Sequence, residues 1–432
     1  MHSNSFDLNI KNISKIEGHT HLDVKVKNGK VTECKLKISE NKRFFTQAIT
    51  GLNYNLVPTT MSRICGTCSS AHTLCSIEAI EKAFGLNVSE QTLMLRNLLI
   101  NAGHLRDHAM HLYFFCLPDL FNKDSVLDFS EKGIEHELVH DGLDIKESGN
   151  FLSTVVGGRA VHPPNALIGG FTKFPGKNEI QEAIKKLENN REKIIRLIDI
   201  FSNQKESFKR KTNYVSIVNS DYNYLKGMIK TAYGTVIPEE SYGEHLQRVV
   251  LPYSTATAFT WESKEYMVGA LARMNLNKES LNKNTIKETG KYLKIFPSDC
   301  VFDNNLAQAI EMLHEVDNSI DILEKLNIEI KNEKPIAPKI KSGIGIGVIE
   351  APRGTLYYKL ELDNKGIIKS ADLCIPTQQN IIHLEKDIAG YIESMLKENK
   401  NKKQISFEAE KMIRAYDPCM SCATHFLKIN WI

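Results

Sequence analysis

The cysteines of this sequence include two Cys-x-x-Cys pairs, Cys65 with Cys68 and Cys419 with Cys422. Two such pairs can supply four thiolates to one metal ion, and a sulfur-rich site suits nickel, zinc or the iron of an iron–sulfur cluster. Structural zinc sites usually place their pairs about 15–20 residues apart, whereas about 350 residues separate these two pairs. A thioredoxin-like redox pair requires a βαβ context, which neither pair has. The spacing therefore indicates a metal site and leaves structural zinc open as an alternative.

The residues around the two pairs resemble the two signatures of [NiFe]-hydrogenase large subunits. The first pair stands in Arg-Ile-Cys-Gly-x-Cys-x-x-x-His, residues 63–72, and the second in Asp-Pro-Cys-x-x-Cys-x-x-His, residues 417–425. The similarity covers nearly the whole chain, and five further blocks follow in the order that the family has. These blocks are Ile16–His19, Arg106–His108, Gly157–Arg159 with His162-Pro163, Ala351–Gly354 and Ile375–Thr377.

The resemblance implies a particular metal centre. All four thiolates bind nickel in the family, and the second cysteine of each pair, here Cys68 and Cys422, also bridges to an iron. A divalent metal deprotonates its thiol ligands outright, so the residue types agree with this centre. The remaining ligands of the iron are one carbon monoxide and two cyanides, giving NiFe(CN)2(CO). Other proteins make these ligands, so metallochaperones are implied as partners during assembly.

The resemblance also implies the polar residues around the iron. Cyanide nitrogens accept hydrogen bonds, so the pocket needs donors fixed in place. Arg353 matches the arginine that hangs over the iron's ligands, and Thr377, beside Pro376, matches the hydroxyl that meets the second cyanide. Asp107 and Asp417 match the carboxylates that hold the arginine. Taken singly, Arg353 is typical of a surface turn and Asp417 of a turn or cap, but the joint pattern favours the site.

Splitting dihydrogen releases protons that need a base. In the family the first acceptor is the first cysteine of the C-terminal pair, here Cys419. Glu17 matches the glutamate that relays the proton outwards, although a charged residue ahead of a hairpin is the ordinary interpretation of any such glutamate. His72 lies four positions after Cys68. We expect it either to donate a hydrogen bond to a bridging sulfur or to be a satisfied core histidine.

Three further histidines, His104, His108 and His111, are spaced at i, i+4 and i+7 on a predicted helix. This spacing can suit a metal ion. No nearby cysteine completes a site, and Asp107 already has an implied role. We therefore predict that these histidines pack beside the nickel centre and are not ligands.

The sequence departs from the family at a magnesium site, which a glutamate before the first pair and the last histidine form together. His425 is present, but Thr46 stands where the glutamate is expected, and a hydroxyl is a poor ligand for a hard cation. We expect Gln47 or water to take over, another divalent ion to bind near His425, or the site to be empty. Residues 426–432 resemble a short version of the extension that a maturation protease removes from many family members.

The composition is that of an ordinary globular protein, with 42% hydrophobic and 25% charged residues and a formal net charge of +3. Interspersed charges give no case for nucleic acid as a partner. No apolar run approaches the roughly 20 residues that a membrane helix needs. Residues 1–12 are polar and lack the apolar core of a secretory signal, so we expect a cytoplasmic protein without a disulfide framework.

The elements that must position these residues are predicted to be mainly helical, with small hairpins attached. Asn28-Gly29 indicates a hairpin within residues 22–38, and residues 363–366 indicate a second one between 356 and 374. Ser89 is expected to cap a long helix that Pro118 ends. Further helices are predicted at 74–84, 179–208, 263–274, 306–327, 385–397 and 407–415, and residues 329–341 are the expected exposed connector.

We therefore predict an α+β, mainly helical fold of the [NiFe]-hydrogenase large-subunit type, with residues 1–432 forming one domain around a central metal site. The implied activity is the reversible heterolytic oxidation of dihydrogen to protons and electrons. The electrons pass to a small iron–sulfur subunit, which Arg63 and His162 are expected to face, and to further electron-carrier subunits.

The Cys-Ala-Thr-His stretch and the Arg-Phe-Phe block look most like the soluble bidirectional branch of the family, which includes NAD(P)-linked, sulfur-reducing and viologen-reducing enzymes. Two alternatives remain at this stage. One is a non-catalytic relative of the quinone-site subunit of respiratory complex I, a lineage that has lost the cysteines. The other is a zinc-stabilised scaffold.

Overall fold

The computed structural model describes residues 5–424. The helices are α1 (Phe45–Ile49), α2 (Val57–Met61), α3 (Ser69–Phe84), α4 (Glu90–Ala109), α5 (Leu117–Leu120), α6 (Ile134–Gly157), α7 (Lys177–Glu188), α8 (Arg191–Ser202), α9 (Tyr242–His245), α10 (Ala270–Asn277), α11 (Lys283–Thr289), α12 (Asp303–Glu329), α13 (Pro376–Lys397), α14 (Lys402–Ala415) and α15 (Met420–Ala423). A π-helical segment lies at Met110–Cys116, and single 3-10 turns lie at Tyr54–Leu56, Ser62–Ile64, Val126–Asp128, Glu239–Ser241, Lys278–Ser280 and Leu293–Ile295.

The strands form small antiparallel sheets around these helices. They are β1 (Phe6–Ile10), β2 (Thr20–Lys27), β3 (Lys30–Ile38), β4 (Ala166–Leu167), β5 (Gly170–Phe171), β6 (Val215–Val218), β7 (Met228–Thr231), β8 (Val236–Pro238), β9 (Leu246–Val250), β10 (Thr257–Trp261), β11 (Gly343–Ala351), β12 (Gly354–Leu362) and β13 (Ile368–Cys374). Three sheets have the orders β1-β2-β3, β6-β7-β8 and β11-β12-β13, and β4-β5 and β9-β10 form pairs. The α+β, mainly helical class is confirmed.

Helix α4 is central to a bundle and packs against both α6 and α12. Its start is confirmed, because the Ser89 side chain accepts a hydrogen bond from the backbone N–H of Thr92. Close approach to α6 depends on Gly149, where an added Cβ would lie 3.0 Å from the carbonyl oxygen of Ala102. The last turn of α4 carries Asp107 into the interior, where it is buried.

The prediction that Pro118 ends the long helix is wrong. After α4 the chain continues through the π-helical segment and α5 to Leu120. Pro118 is the second residue of α5, directly after the π-helical segment. The wider π turn brings His111 to the side-chain oxygen of Gln308 at 2.6 Å and to the carbonyl oxygen of Arg414 at 2.7 Å.

The single helix predicted at 179–208 is also wrong, since the chain breaks at residues 189–190 into α7 and α8. The buried Asn190 donates from its amide to the hydroxyl of Ser148 at 2.6 Å and to the carbonyl oxygen of Lys186 at 3.1 Å. Asparagine amides compete with backbone groups for such bonds, which disfavours helix interiors. The helix predicted at 263–274 is observed later, as α10, and α12, α13 and α14 each begin before the predicted residue.

Both predicted hairpins are confirmed, as β2-β3 and β12-β13. Asn28 and Gly29 both have positive φ, at 50° and 73°, as a two-residue hairpin turn of this kind requires. The sequence did not reveal β11, which pairs with β12 across the two-residue turn Pro352-Arg353. This turn places Arg353 at the tip of a hairpin directed into the protein, with only 6% of its surface exposed.

Strand β11 alternates glycines at 343, 345 and 347, and this pattern is explained by helix α3, which packs against the strand. An added Cβ at Gly345 would overlap the carbonyl oxygen of Ala79 on α3. The glycines thus allow a strand and a helix backbone to approach more closely than side chains permit. No helix within residues 5–424 is long and apolar enough to cross a membrane.

We expect Gly345→Ala to lower the free energy of unfolding by about 3 kcal/mol, because backbone must move to admit the methyl group. Urea unfolding of the purified chain, followed by circular dichroism, measures this change. Ile344→Thr, on the same strand but 57% exposed, is the matched control and should change stability by less than about 0.5 kcal/mol. Equal stability of the two variants would contradict the close-approach explanation.

Candidate metal centre

The two cysteine pairs meet in the interior as one cluster. The Sγ atoms of Cys65 and Cys419 lie 3.6 Å apart, and those of Cys68 and Cys422 lie 3.3 Å apart, although each pair of partners is separated by 354 residues. All four Sγ atoms fall within 4.8 Å of one another. Each cysteine is at most 5% exposed and none forms a disulfide. Four free thiols at this separation are arranged as ligands of one metal centre.

The thiols share little negative charge without a metal. Hydrogen bonding with Cys419 lowers the pKa of Cys65 well below its usual range. Burial raises the pKa values of Cys419 and Cys422 well above theirs. A bound divalent ion would displace the remaining protons, because metal-bound thiols are deprotonated. Binding of a metal to the cluster would therefore release the thiol protons.

Local structure fixes the first pair at the start of α3. Cys65 follows a 3-10 turn in an extended conformation, and Cys68 is the N-cap residue of α3. The loop between them is held by the buried Arg106, whose guanidinium donates to the carbonyl oxygens of Thr67 and Ala160. Arg106 thus stabilises the cysteine loop, and the next residue, Asp107, contacts Arg353 in the metal pocket.

The second pair is held by residues from distant parts of the chain. Residue Glu17 forms a β-bridge with Cys419, and its carbonyl oxygen accepts the N–H of Met420 at 3.0 Å. The hydroxyl oxygen of Thr377 accepts the N–H of Cys419 at 2.9 Å. Since that oxygen is used as an acceptor, the hydroxyl proton of Thr377 remains available to a group in the cavity.

A cavity adjoins three of the four cysteines, Cys68, Cys419 and Cys422. Its remaining lining combines apolar surface with the donors Arg353 and Thr377. The Nε–H of Arg353 is buried and has no hydrogen-bond partner in the described part of the protein. A buried unpartnered donor is costly, and a ligand that accepts hydrogen bonds would satisfy it. The apolar and histidine lining comes from His72, Ala351, Leu356, Ile375 and Pro376.

Arg353 is held by two buried carboxylates, as the resemblance implied. Its guanidinium donates to both oxygens of Asp107, one of them at 3.2 Å, and lies 3.0 Å from Oδ1 of Asp417. Burial opposes charge on all three groups, yet the two carboxylates hold the pKa of Arg353 well above its usual range. Burial raises the pKa of Asp107. Burial also opposes the charge of Asp417, but Arg353, His111 and His108 together outweigh it and lower the pKa of Asp417.

Glu17 is placed where a proton acceptor is needed. Its Oε2 lies 3.1 Å from the Sγ of Cys419 and also accepts the N–H of Ser421 at 3.0 Å. The side chain is half-buried, so it joins the buried sulfur to the outer part of the protein. A carboxylate at this distance can take a proton from the thiol directly.

His72 contacts a cysteine of the second pair. Its Nε2 lies 3.6 Å from the Sγ of Cys422, and its Nδ1 lies 2.6 Å from the hydroxyl of Tyr358. If Tyr358 donates to Nδ1, the proton of the neutral imidazole is on Nε2 and points to the sulfur. Burial lowers the pKa of His72 to about 4, which keeps the ring neutral.

Sequence reasoning missed two residues of this site, Tyr358 and Gln308. Gln308 donates to Oδ2 of Asp417 at 2.9 Å. Both come from elements remote in sequence, and neither carries a local motif. The alternation of β12 offered a weak signal for Tyr358, since it lies four residues after Gly354 and so on the same face of the strand.

The predicted magnesium ligand His425 lies outside the described residues. Thr46 is buried, and its hydroxyl donates to the side-chain oxygen of Gln47 at 2.7 Å. Arg63 is exposed and His162 half-buried beside the first cysteine pair. The Nδ1 of His162 lies 2.9 Å from the carbonyl oxygen of Ser62.

Comparison with known proteins matches this fold and sequence to one family. The family described as nickel-dependent hydrogenase matches residues 47–138 and 214–425. The alpha subunit of sulfhydrogenase 1 from Pyrococcus furiosus is 31% identical over 437 residues, covering 98% of each chain. The alpha subunit of sulfhydrogenase 2 from the same organism is 30% identical over 422 residues, covering 98% of this chain and 100% of that one.

A solved structure of an NAD+-reducing [NiFe]-hydrogenase in the H2-reduced state superposes with a TM-score of 0.86, covering 97% of this chain and 99% of the other. At 24% identity this likeness establishes the fold. The fold and the four-thiol centre define a large, metal-bearing subunit of an oxidoreductase. The chain belongs to the nickel-dependent hydrogenase family, in which it is a catalytic large subunit that acts on dihydrogen. The complex I relative and the zinc-stabilised scaffold are not supported.

We expect Arg353→Lys to lower dihydrogen oxidation by about 100-fold. A lysine ammonium cannot donate to Asp107 and Asp417 in the way the planar guanidinium does, and the substitution removes the Nε–H donor beside the cavity. Dye-linked oxidation of dihydrogen by the assembled enzyme measures this, with nickel content checked in parallel. Arg196→Lys is the control and should retain activity, because Arg196 is a half-buried arginine that pairs with Glu137 and Asp141 of α6 and does not contact the cysteines. Full activity of Arg353→Lys would contradict the assignment.

Proposed function

We propose that this chain interconverts dihydrogen with two protons and two electrons at a nickel–iron centre held by Cys65, Cys68, Cys419 and Cys422. The convergence of these four cysteines into one buried cluster is the observation that carries the proposal. In this assignment Cys65 and Cys419 would be ligands of nickel alone, and Cys68 and Cys422 would be shared between nickel and an iron. When bound, such a centre polarises dihydrogen and accepts its electrons.

The cavity beside Cys68 and Cys422 supports an iron with small diatomic ligands. Arg353 offers an unpartnered Nε–H, and Thr377 a free hydroxyl proton, to acceptors such as the nitrogen atoms of two cyanides. The apolar lining from Leu356 and Pro376 suits a carbon monoxide, which accepts hydrogen bonds weakly. Asp107 and Asp417 keep Arg353 charged and oriented, so they act as positioning residues.

We assign the outward proton path to Cys419 and Glu17. The Sγ of Cys419 accepts the proton first, and Oε2 of Glu17, 3.1 Å away, accepts it next. The N–H of Ser421 donates to the same carboxylate oxygen and holds it beside the sulfur. His72 donates towards Cys422 and thereby lowers the electron density on that sulfur.

Electrons require a route to another protein chain. Among residues 5–424, the cysteines that gather in a ligand cluster are the four of the metal centre. The two sulfhydrogenase relatives are named as alpha subunits, which supports an assembly with an iron–sulfur partner. We place that partner over the exposed Arg63 and the neighbouring His162, beside Cys65. The cytoplasmic location, the single domain over residues 1–432, and the cleavage of residues 426–432 stay predictions.

Infrared spectroscopy of the purified enzyme tests the centre directly. Iron-bound carbon monoxide and cyanide absorb in a region where protein groups do not, so we expect bands from both. Cys419→Ala should abolish dihydrogen oxidation because the nickel loses a ligand and the proton its first acceptor. Zinc in the cysteine cluster without these bands, or an active Cys419→Ala variant, would refute the proposal.

Glu17→Gln tests the proton path. We expect dihydrogen oxidation to fall by about 100-fold, because an amide cannot accept the proton, while the infrared bands remain. Glu40→Gln is the matched control, since Glu40 accepts the N–H of His19 in the same region but does not contact the cysteines. Equal activities of the two variants would show that the proton leaves by another route.

A further inference from the structure

A second cluster of potential metal ligands lies between α4 and α12. His104 and His108 are spaced i, i+4 on α4, and Glu311 and Glu315 have the same spacing on α12. All four side chains are fully buried, and one ligand atom from each lies within 4.8 Å of the others. The prediction that these histidines are not ligands rests on the absence of a nearby cysteine. In the structure two carboxylates from another helix face them.

The distances within this second cluster match a tetrahedral zinc site. Ligands about 2.0–2.1 Å from a zinc ion lie roughly 3.4 Å from one another. The Nδ1 of His104 is 3.5 Å from Oε1 of Glu315. The Nε2 of His108 is 3.1 Å from Oε2 of Glu311 and 3.8 Å from Oε1 of Glu315.

Outer hydrogen bonds orient three of the four ligand side chains. The Nε2 of His104 lies 3.1 Å from the carbonyl oxygen of Glu350, so Nε2 carries the proton and Nδ1 presents its lone pair to the cluster. Tyr224 donates to Oε1 of Glu315 at 3.1 Å. Arg273 donates its Nε–H to Oε1 of Glu311 and an Nη–H to Oε2, the atom that faces His108, each at 2.7 Å. Metal-binding histidines and carboxylates characteristically have such outer partners.

Three polar atoms of the second cluster have no hydrogen-bond partner within the described part of the chain. These atoms are Nδ1 of His104 and Oε2 of Glu315, which belong to facing ligands, and Nδ1 of His108, across the ring from its ligand atom. Buried polar atoms without partners are costly. An ion between the two facing side chains would accept the lone pair of His104 Nδ1 and bind the carboxylate of Glu315.

The surrounding charges also favour a divalent cation. The buried Arg273 pairs with Glu311 and with Glu350, so the interior here holds one fixed positive charge beside the carboxylates Glu311, Glu315 and Glu350. A dication together with Arg273 balances the three ionised carboxylates. Buried charges are tolerated when they are paired in this way or bind metals.

We propose that His104, His108, Glu311 and Glu315 bind a zinc ion that is separate from the nickel centre. Zinc is the ion of choice because it binds imidazole nitrogens and carboxylate oxygens, and because structural zinc sites are closed sites with four ligands from the protein. The ion joins α4 to α12. It also supports the hairpin tip that carries Arg353, because Arg273, held by Glu311, donates to the carbonyl oxygens of residues 351 and 352 at 3.0 Å.

Metal analysis of the assembled enzyme tests the zinc site. In the assembled enzyme nickel and iron occupy the cysteine cluster. Zinc found in that enzyme is therefore bound at another site. We expect about one zinc per nickel by mass spectrometry, and zinc X-ray absorption showing nitrogen and oxygen ligands at about 2.0 Å with no sulfur at about 2.3 Å. A wild-type enzyme with less than about one tenth of a zinc per nickel, or with sulfur-bound zinc, overturns the proposal.

A double variant assigns the zinc to these residues. His104→Gln with Glu315→Gln should lower bound zinc at least about tenfold while nickel and the infrared bands remain. The control is His136→Gln with His140→Gln, which removes an exposed i, i+4 histidine pair whose rings lie 4.5 Å apart on α6. Loss of zinc in this control, or its retention in the first variant, overturns the proposal. If the double variant fails to fold, Glu315→Gln alone is measured in its place, because glutamine keeps the size of the side chain and an oxygen acceptor for Tyr224. Zinc retained in that variant overturns the proposal.

Discussion

The structure depends on holding four buried thiols together although they come from segments 354 residues apart. Burial disfavours ionisation of these thiols, and their mutual contacts favour only one thiolate at a time. A metal resolves this conflict because it stabilises all four as thiolates. The surrounding helices and sheets can therefore be understood as a rigid frame that keeps the four sulfurs at ligand distance.

A single guanidinium joins this frame to the metal pocket. Arg353 sits on a two-residue turn, and its partners come from the end of α4 and from the segment just before Cys419. Arg273 supports this turn from behind, and its own carboxylate partners lie on α12 and β11. Each buried charge in this chain of contacts has an opposite charge beside it, which makes their burial tolerable.

Residues that lie in short sequence motifs were predictable from the sequence. Residues that reach the site because distant segments pack together were not. The cysteine pairs, Arg353 and Glu17 lie in short motifs, and the Asn28-Gly29 turn has a local conformational cause. Strand β11 was missed because its glycines suggest a loop until helix α3 is seen against it. The break between α7 and α8 was missed because Asn190 acts through contacts with α6. The carboxylates opposite His104 were missed because the packing of α12 against α4 cannot be deduced from any single sequence position.

The bridge between Glu17 and Cys419 has a consequence for biosynthesis. These residues are 402 positions apart, so the ribosome releases the second cysteine pair long after Glu17 and the first pair have emerged. Before then Cys65 and Cys68 can supply two of the four sulfur ligands. In the folded chain, with the segment carrying Cys419 and Cys422 against Glu17, all four sulfurs are buried. The four-sulfur site therefore cannot be complete until that segment has folded against Glu17.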